Sequence, residues 1–151
     1  MRSIRRLIVV AGTISALTLL VPSVSASSPL GEVHLTKTCP TFSGQVGDFC
    51  TVQTAPSGPI PVGTVATYYG PLFAPVVSSA VVLTTPDGST ATGHCTLVWR
   101  PELSGNDGFG TCTFVSGTGS LAGFHANLKI TDHPDTLVTN WDGTYHFAPA
   151  H

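Results

Sequence analysis

Apolar and polar residues alternate with a two-residue period along most of this chain, and the alternating runs are cut by glycine, proline and Asp-Gly. That period places successive side chains on opposite faces of an extended strand. Val33 and Leu35 alternate with His34 and Thr36 in a first strand, residues 49–54 form a second, and residues 62–69 a third that stops at Gly70-Pro71. Residues 76–85 run into Pro86-Asp87-Gly88-Ser89. This segment predicts a tight turn, because Gly88 tolerates positive φ and the Asp87 side chain can accept from nearby backbone N–H groups. The return arm, residues 90–99, places Cys95, Leu97 and Trp99 on one face and His94, Thr96 and Val98 on the other. Residues 100–107 read as a polar connection, residues 108–115 as the next arm, and Gly117-Thr118-Gly119 as its end. Residues 121–131 combine a kink at Gly123 with a strand in which Phe124, Ala126, Leu128 and Ile130 share a face. After a loop at 132–135, residues 137–147 align Trp141, Gly143, Tyr145 and Phe147. No 3.6-residue period is sustained in this region, so the fold class is all-β.

About eight short antiparallel strands can close on themselves or stack as two sheets. Glycines gather at 108, 110, 117, 119, 123 and 143, where a strongly coiled sheet needs positions without a side chain. The expectation is a single antiparallel eight-stranded β-barrel over about residues 31–148, with an immunoglobulin-like β-sandwich as the alternative. Pairing of the first and last strands separates the two.

The first 26 residues stand apart. Arg2, Arg5 and Arg6 precede an apolar stretch at 7–21, and Val24-Ser25-Ala26 supplies small residues for cleavage. This is the pattern of a secretory signal peptide ending at Ala26, which leaves residues 27–151 as one barrel domain in an extracellular protein. The apolar stretch is shorter than the roughly 20 residues that cross a bilayer, so no stable membrane insertion is expected after cleavage. Without the leader, three basic residues (Lys37, Arg100 and Lys129) face eight acidic ones, leaving a net charge of −5. That balance argues against nucleic-acid partners, which need clustered Lys and Arg to neutralise phosphates. Cys39, Cys50, Cys95 and Cys112 are an even set in an exported chain, and such sets form disulfides. If residues 92–99 and 108–115 form a hairpin, Cys95 and Cys112 fall opposite each other, and Cys39 and Cys50 then close a short polar loop.

The segment from Gly108-Phe109-Gly110-Thr111-Cys112 to Gly123-Phe124-His125-Ala126, with the later Trp141-Asp142-Gly143-Thr144-Tyr145-His146-Phe147, resembles the allene-oxide-cyclase-like and dirigent barrel superfamily. The resemblance lies chiefly in residues 90–148. It implies an eight-stranded antiparallel barrel with a hydrophobic lumen, often assembled as a homotrimer, whose relatives cyclise a reactive epoxide or guide radical coupling. Both tasks consist mainly of holding a small molecule in one conformation. The G-x-G signature marks the scaffold and assigns no catalytic residue, and the single mature arginine departs from the more polar dirigent pockets.

Tyr68, Trp99, Trp141 and Tyr145 can line a lumen and offer broad apolar contact with one polar handle each, which suits a small hydrophobic or aromatic ligand. Core packing is the competing role for Trp141 and Tyr145. Tyr68 and Tyr69 face opposite ways, so at most one enters. For a cofactor-independent cyclase or isomerase, Tyr68, Arg100 and Glu102 are the catalytic candidates, because an acid and a cation beside Trp99 can steer charge. No G-x-S-x-G elbow, H-x-H pair or HExxH motif occurs, so no metal or other cofactor is expected. His125 and His146 fall on neighbouring strands but alternate away from the apolar faces. The remaining class is an extracellular structural or protein-interaction module. The intact mass of secreted protein should correspond to residues 27–151 and rise by four hydrogens on reduction. A retained leader, or an unchanged mass on reduction, would contradict this.

Overall fold

The computed structural model describes residues 30–40, 43–70, 75–99, 108–133 and 135–149. The proposed leader falls outside them. Eight strands follow one another: β1 (Gly31–Thr38), β2 (Phe49–Ser57), β3 (Val65–Tyr68), β4 (Val76–Thr84), β5 (Thr90–Trp99), β6 (Gly108–Gly117), β7 (Phe124–His133) and β8 (Val138–Phe147). Each pairs antiparallel with the next, and β1 returns to pair with β8, giving a closed barrel in sequence order. The closing ladder runs from Gly31 opposite Tyr145 to Thr38 opposite Val138 without a register break. It excludes the sandwich.

Closure turns alternation into inside and outside. Val33, Leu35, Val52, Val81, Leu83, Phe114, Phe124, Leu128 and Trp141 are buried along the inner wall. The outer wall carries their polar neighbours, including Glu32, His34, Thr113 and Asn127. Two expected strands are shorter than the sequence pattern suggests. Val62 and Gly63 lie in a turn, with Gly63 at φ 85° and the Thr64 hydroxyl donating to the Pro61 carbonyl. Leu121 lies in a 3-10 turn (Gly119–Leu121), and Gly123 at φ 74° redirects the chain into β7.

Both disulfides are formed. Cys95 and Cys112 are directly opposite on β5 and β6, and Cys39–Cys50 closes the β1–β2 connection. Each restricts the unfolded chain by about 2–4 kcal/mol. Inside the Cys39–Cys50 loop, the Asp48 carboxylate accepts from the Ser43 hydroxyl and from the Ser43 and Gly44 N–H groups.

The two ends of the barrel differ. One is corked: Ile60 from the β2–β3 connection and Leu121 from the 3-10 turn are fully buried there. Beside them Phe124 packs its ring 6.0 Å from Phe114, 6.0 Å from Tyr145 and 5.8 Å from Phe147. At the other end β1, β3, β5 and β7 finish and β2, β4, β6 and β8 begin.

Gly143 is required by close strand approach. A β-carbon there would collide with the Asn127 carbonyl on β7. Gly143→Ala should lower unfolding free energy by about 1–3 kcal/mol, the usual cost of overpacking, as read from urea denaturation. An unchanged midpoint would contradict the β7–β8 register.

Candidate functional site

The two-residue period of β1 that buries Val33, Leu35 and Cys39 also buries Lys37, which is 2% exposed. Lateral pairing places Lys37 beside Thr139, Thr139 beside Asp132, Asp132 beside Gly108 and Gly108 beside Trp99, in one row around the end opposite the cork. The next row holds Leu35, Trp141, Ile130, Gly110, Leu97 and Val77. Gly108 and Gly110 give β6 no side chain in either row, so the surroundings of Lys37 come from the other strands.

Those surroundings are mostly apolar. The Lys37 ammonium nitrogen lies 5.1 Å from the centre of the Trp141 ring and 5.5 Å from that of Tyr68. It donates to the Cys39 sulfur at 3.7 Å, a weak acceptor already committed to a disulfide. Asp132 acts on it electrostatically and is itself held by a hydrogen bond from the Thr139 hydroxyl to its Oδ1. Burying an ammonium costs several kcal/mol, whereas a cation–π contact returns about 0.5–2 kcal/mol. The cost wins. Burial pushes the Lys37 amine down to about 7, against a smaller upward pull from Asp132.

The same burial raises the Tyr68 phenol, and the Asp132 charge adds to the effect. Tyr68 therefore stays protonated at neutral pH. Trp141 contributes another donor: its Nε1–H is fully buried and has no hydrogen-bond partner among the described residues. Leaving such a group unsatisfied costs about 1–3 kcal/mol. An amine, a phenol and an indole N–H thus belong to three rings or chains grouped around one point of the inner wall, beside a carboxylate.

Of the residues expected to line a ligand site, Tyr68 and Trp141 are brought together, on either side of Lys37. Tyr69 faces outward, 55% exposed. The backbone of Trp99 falls in the Lys37 row, while its side chain, together with Arg100 and Glu102, lies outside the described residues. Tyr145 is at the corked end, where its ring covers Gly31 and packs 5.7 Å from Phe147.

Exposed apolar side chains collect at the Lys37 end: Val46, Phe49, Tyr69, Val76, Phe109 and Leu137. Leu137 has φ 57°, a left-handed conformation that costs a non-glycine residue of this kind about 1–3 kcal/mol. Its carbonyl accepts from the Cys39 N–H. His133, paired with Val138, ends β7 at this same end of the barrel, while other histidines lie on the outer wall. His125 and His146 stack on the outer wall with centroids 5.0 Å apart. His34, also outside, is raised by its 2.8 Å hydrogen bond to Asp142. Among the described residues, no group of three metal-ligating side chains is close enough to hold an ion.

Lys37 is the residue that pattern reading passed over. Its signal was present in the parity of Val33, Leu35, Lys37 and Cys39, but lysine is almost never fully buried, and a strand end is where a charged residue ordinarily turns to solvent.

Lys37 should leave a signature in stability against pH. Below about pH 7 the amine is protonated in both folded and unfolded chains, and the folded one carries the burial cost. Between about 7 and the ordinary value of 10.5 the unfolded chain holds a proton that the folded chain does not, so stability rises with pH. The raised Tyr68 phenol acts in the opposite sense only above about pH 10. Urea unfolding at several pH values across 7 to 10 should show wild type gaining on Lys37→Met by a few kcal/mol. Parallel curves would contradict a desolvated lysine.

The chain matches no protein-family model, no curated protein and no solved structure, so its function is read from this arrangement of side chains.

Proposed function

We propose that this disulfide-bonded barrel is a secreted binder of a small hydrophobic or aromatic molecule, held at the barrel end built around Lys37, Tyr68 and Trp141. The observation that carries the reading is the complete burial of Lys37 between two aromatic rings. An apolar residue at that position would fill the wall without the desolvation cost. The Trp141 Nε1–H, without a partner among the described residues, adds a second unmet polar group, and a ligand with an apolar body and one polar acceptor offsets both. Binding sites of this kind combine apolar lining with a few convergent polar groups. An eight-stranded barrel is wide enough for one such ligand.

The cork of Ile60, Leu121 and Phe124 closes the opposite end, so entry is assigned to the end ringed by Phe49, Tyr69, Val76 and Leu137. Secretion is supported by the leader pattern and by two disulfides, which persist in oxidising compartments. Kinship with the allene-oxide-cyclase-like barrels is part of the same proposal, supported by the closed eight-strand meander and by the placement of Gly108-Phe109-Gly110 at the start of β6. Binding is preferred to cyclase or isomerase chemistry because Tyr68, buried at the Lys37 end, stays a neutral phenol at neutral pH.

N-phenyl-1-naphthylamine, an uncharged aromatic fluorophore, should bind saturably with one site per chain. Val77→Phe or Leu97→Phe, each adding bulk to the row of Trp141, should weaken it at least about tenfold, or about 1.4 kcal/mol. Absence of saturable binding, or equal binding by both variants, would reject the barrel interior as the site.

A further inference from the structure

We infer that Lys37 is a covalent carbonyl site: its amine condenses reversibly with an apolar aldehyde held between Tyr68 and Trp141, forming an imine. The inference rests on the binding reading above and goes further by naming the ligand's functional group and the atom that captures it. Three features of the inner wall favour a carbonyl over other acceptors.

The first is the state of the nucleophile. Imine formation needs a neutral amine, and solvated lysine supplies fewer than about one in a thousand at pH 7. The burial of Lys37 leaves about half of its amine neutral there. Lysines desolvated in apolar pockets are activated in this way for attack on carbonyl carbon.

The second is the ring pair. Trp141 and Tyr68 lie 5.1 and 5.5 Å from the nitrogen. They form flat apolar walls on which an aromatic or polyene chain can lie, with its carbonyl carbon at the amine. The Trp141 Nε1–H, which has no partner among the described residues, offers a donor for the carbonyl oxygen or for the hydroxyl that replaces it.

The third is Asp132, fixed by Thr139 in the neighbouring position of the same row. A protonated imine is a cation, and a carboxylate within electrostatic reach stabilises it in place of the ammonium that was lost.

The step balances without an oxidant, a reductant or a cofactor. The nitrogen lone pair forms a bond to the carbonyl carbon, and a proton passes from nitrogen to oxygen to give a carbinolamine. The C–O bond then breaks, with the hydroxyl leaving as water as the C=N bond forms. One aldehyde and one amine give one imine and one water. Hydrolysis reverses the sequence and releases the aldehyde unchanged, so the arrangement suits storage or transport of a reactive carbonyl compound as well as the opening step of a lysine-dependent reaction.

The chain offers a favourable internal control, because it contains only two lysines, Lys37 and Lys129, and Lys129 is exposed on the outer wall. The disulfide-intact protein is incubated at pH 7 with cinnamaldehyde and sodium cyanoborohydride, then analysed by intact mass and peptide mapping. Capture at Lys37 adds the mass of the aldehyde less one oxygen atom to the peptide carrying residue 37, in at least about tenfold excess over the exposed Lys129, as activation of Lys37 by desolvation requires. Lys37→Arg, which keeps the charge, and Lys37→Met, which removes it, should each lose that label, whereas Lys129→Arg, on the outer wall, should keep it. Labelling confined to Lys129 and the terminal amine, or equal labelling of the two lysines, overturns the covalent assignment. Absence of the Lys37 adduct in the wild-type protein, with its fluorophore binding intact, rejects the imine and leaves the binding site standing. Loss of both in the wild-type protein rejects the binding reading itself.

Discussion

The unbroken ladder between β1 and β8 is the constraint from which the rest follows. While a sheet has free edges, a residue at its margin can turn toward solvent from either face, and the boundary between core and surface is graded. Pairing the first strand with the last removes that freedom. Away from the register shifts in the β1–β2 and β5–β6 pairings, a side chain is then committed to the inner or the outer wall by its parity. Val33 and Leu35 fix the parity of β1, and Lys37, two and four residues along, has to follow them inward. A charge buried in this way is a consequence of register, and its cost cannot be relieved by sliding the strand. A one-residue slip would expel Val33, Leu35 and Cys39 together and break the Cys39–Cys50 bond.

Much of this architecture was legible in the sequence, because the two-residue period is a local signal and closure only adds to it. The inward sets Phe124/Ala126/Leu128/Ile130 and Cys95/Leu97 are those the alternation indicates, and the Pro86-Asp87-Gly88-Ser89 turn sits between β4 and β5 as read. The Cys95–Cys112 bond follows from hairpin register. Errors came where a local device overrides the period: the Pro61–Thr64 turn trims β3, and Gly119 and Gly123, both at positive φ, replace the start of β7 with a 3-10 turn. The site was harder to read. Tyr68 and Trp141 could be listed as aromatic residues on inward faces, but their meeting across Lys37 depends on how β1, β3 and β8 curve around the lumen. Tyr145 shares the face of Trp141, yet four residues of extended strand carry it to the far end of the barrel.

The two ends also divide the energetic roles. At the corked end, apolar contacts are mutual: Phe114, Phe124, Tyr145 and Phe147 satisfy one another, and Tyr145 shields the backbone at Gly31. The Lys37 end carries a desolvated amine, an indole N–H with no partner among the described residues and a left-handed leucine. Stability is supplied by the first region and spent in the second, with the disulfide Cys39–Cys50 holding the costly end together.

The start of β1 and the finish of β8 lie side by side at the corked end, where Gly31 faces Tyr145. Whatever is joined to the barrel before residue 31 or after residue 147 therefore departs from the pole farthest from Lys37. Tethered by either terminus to a cell wall, a carrier or a neighbouring domain, the barrel would stand on its cork with the lysine pole directed away from the anchor. Orientation on a surface is thus built into the strand count: an even number of strands returns the chain to the pole where it began.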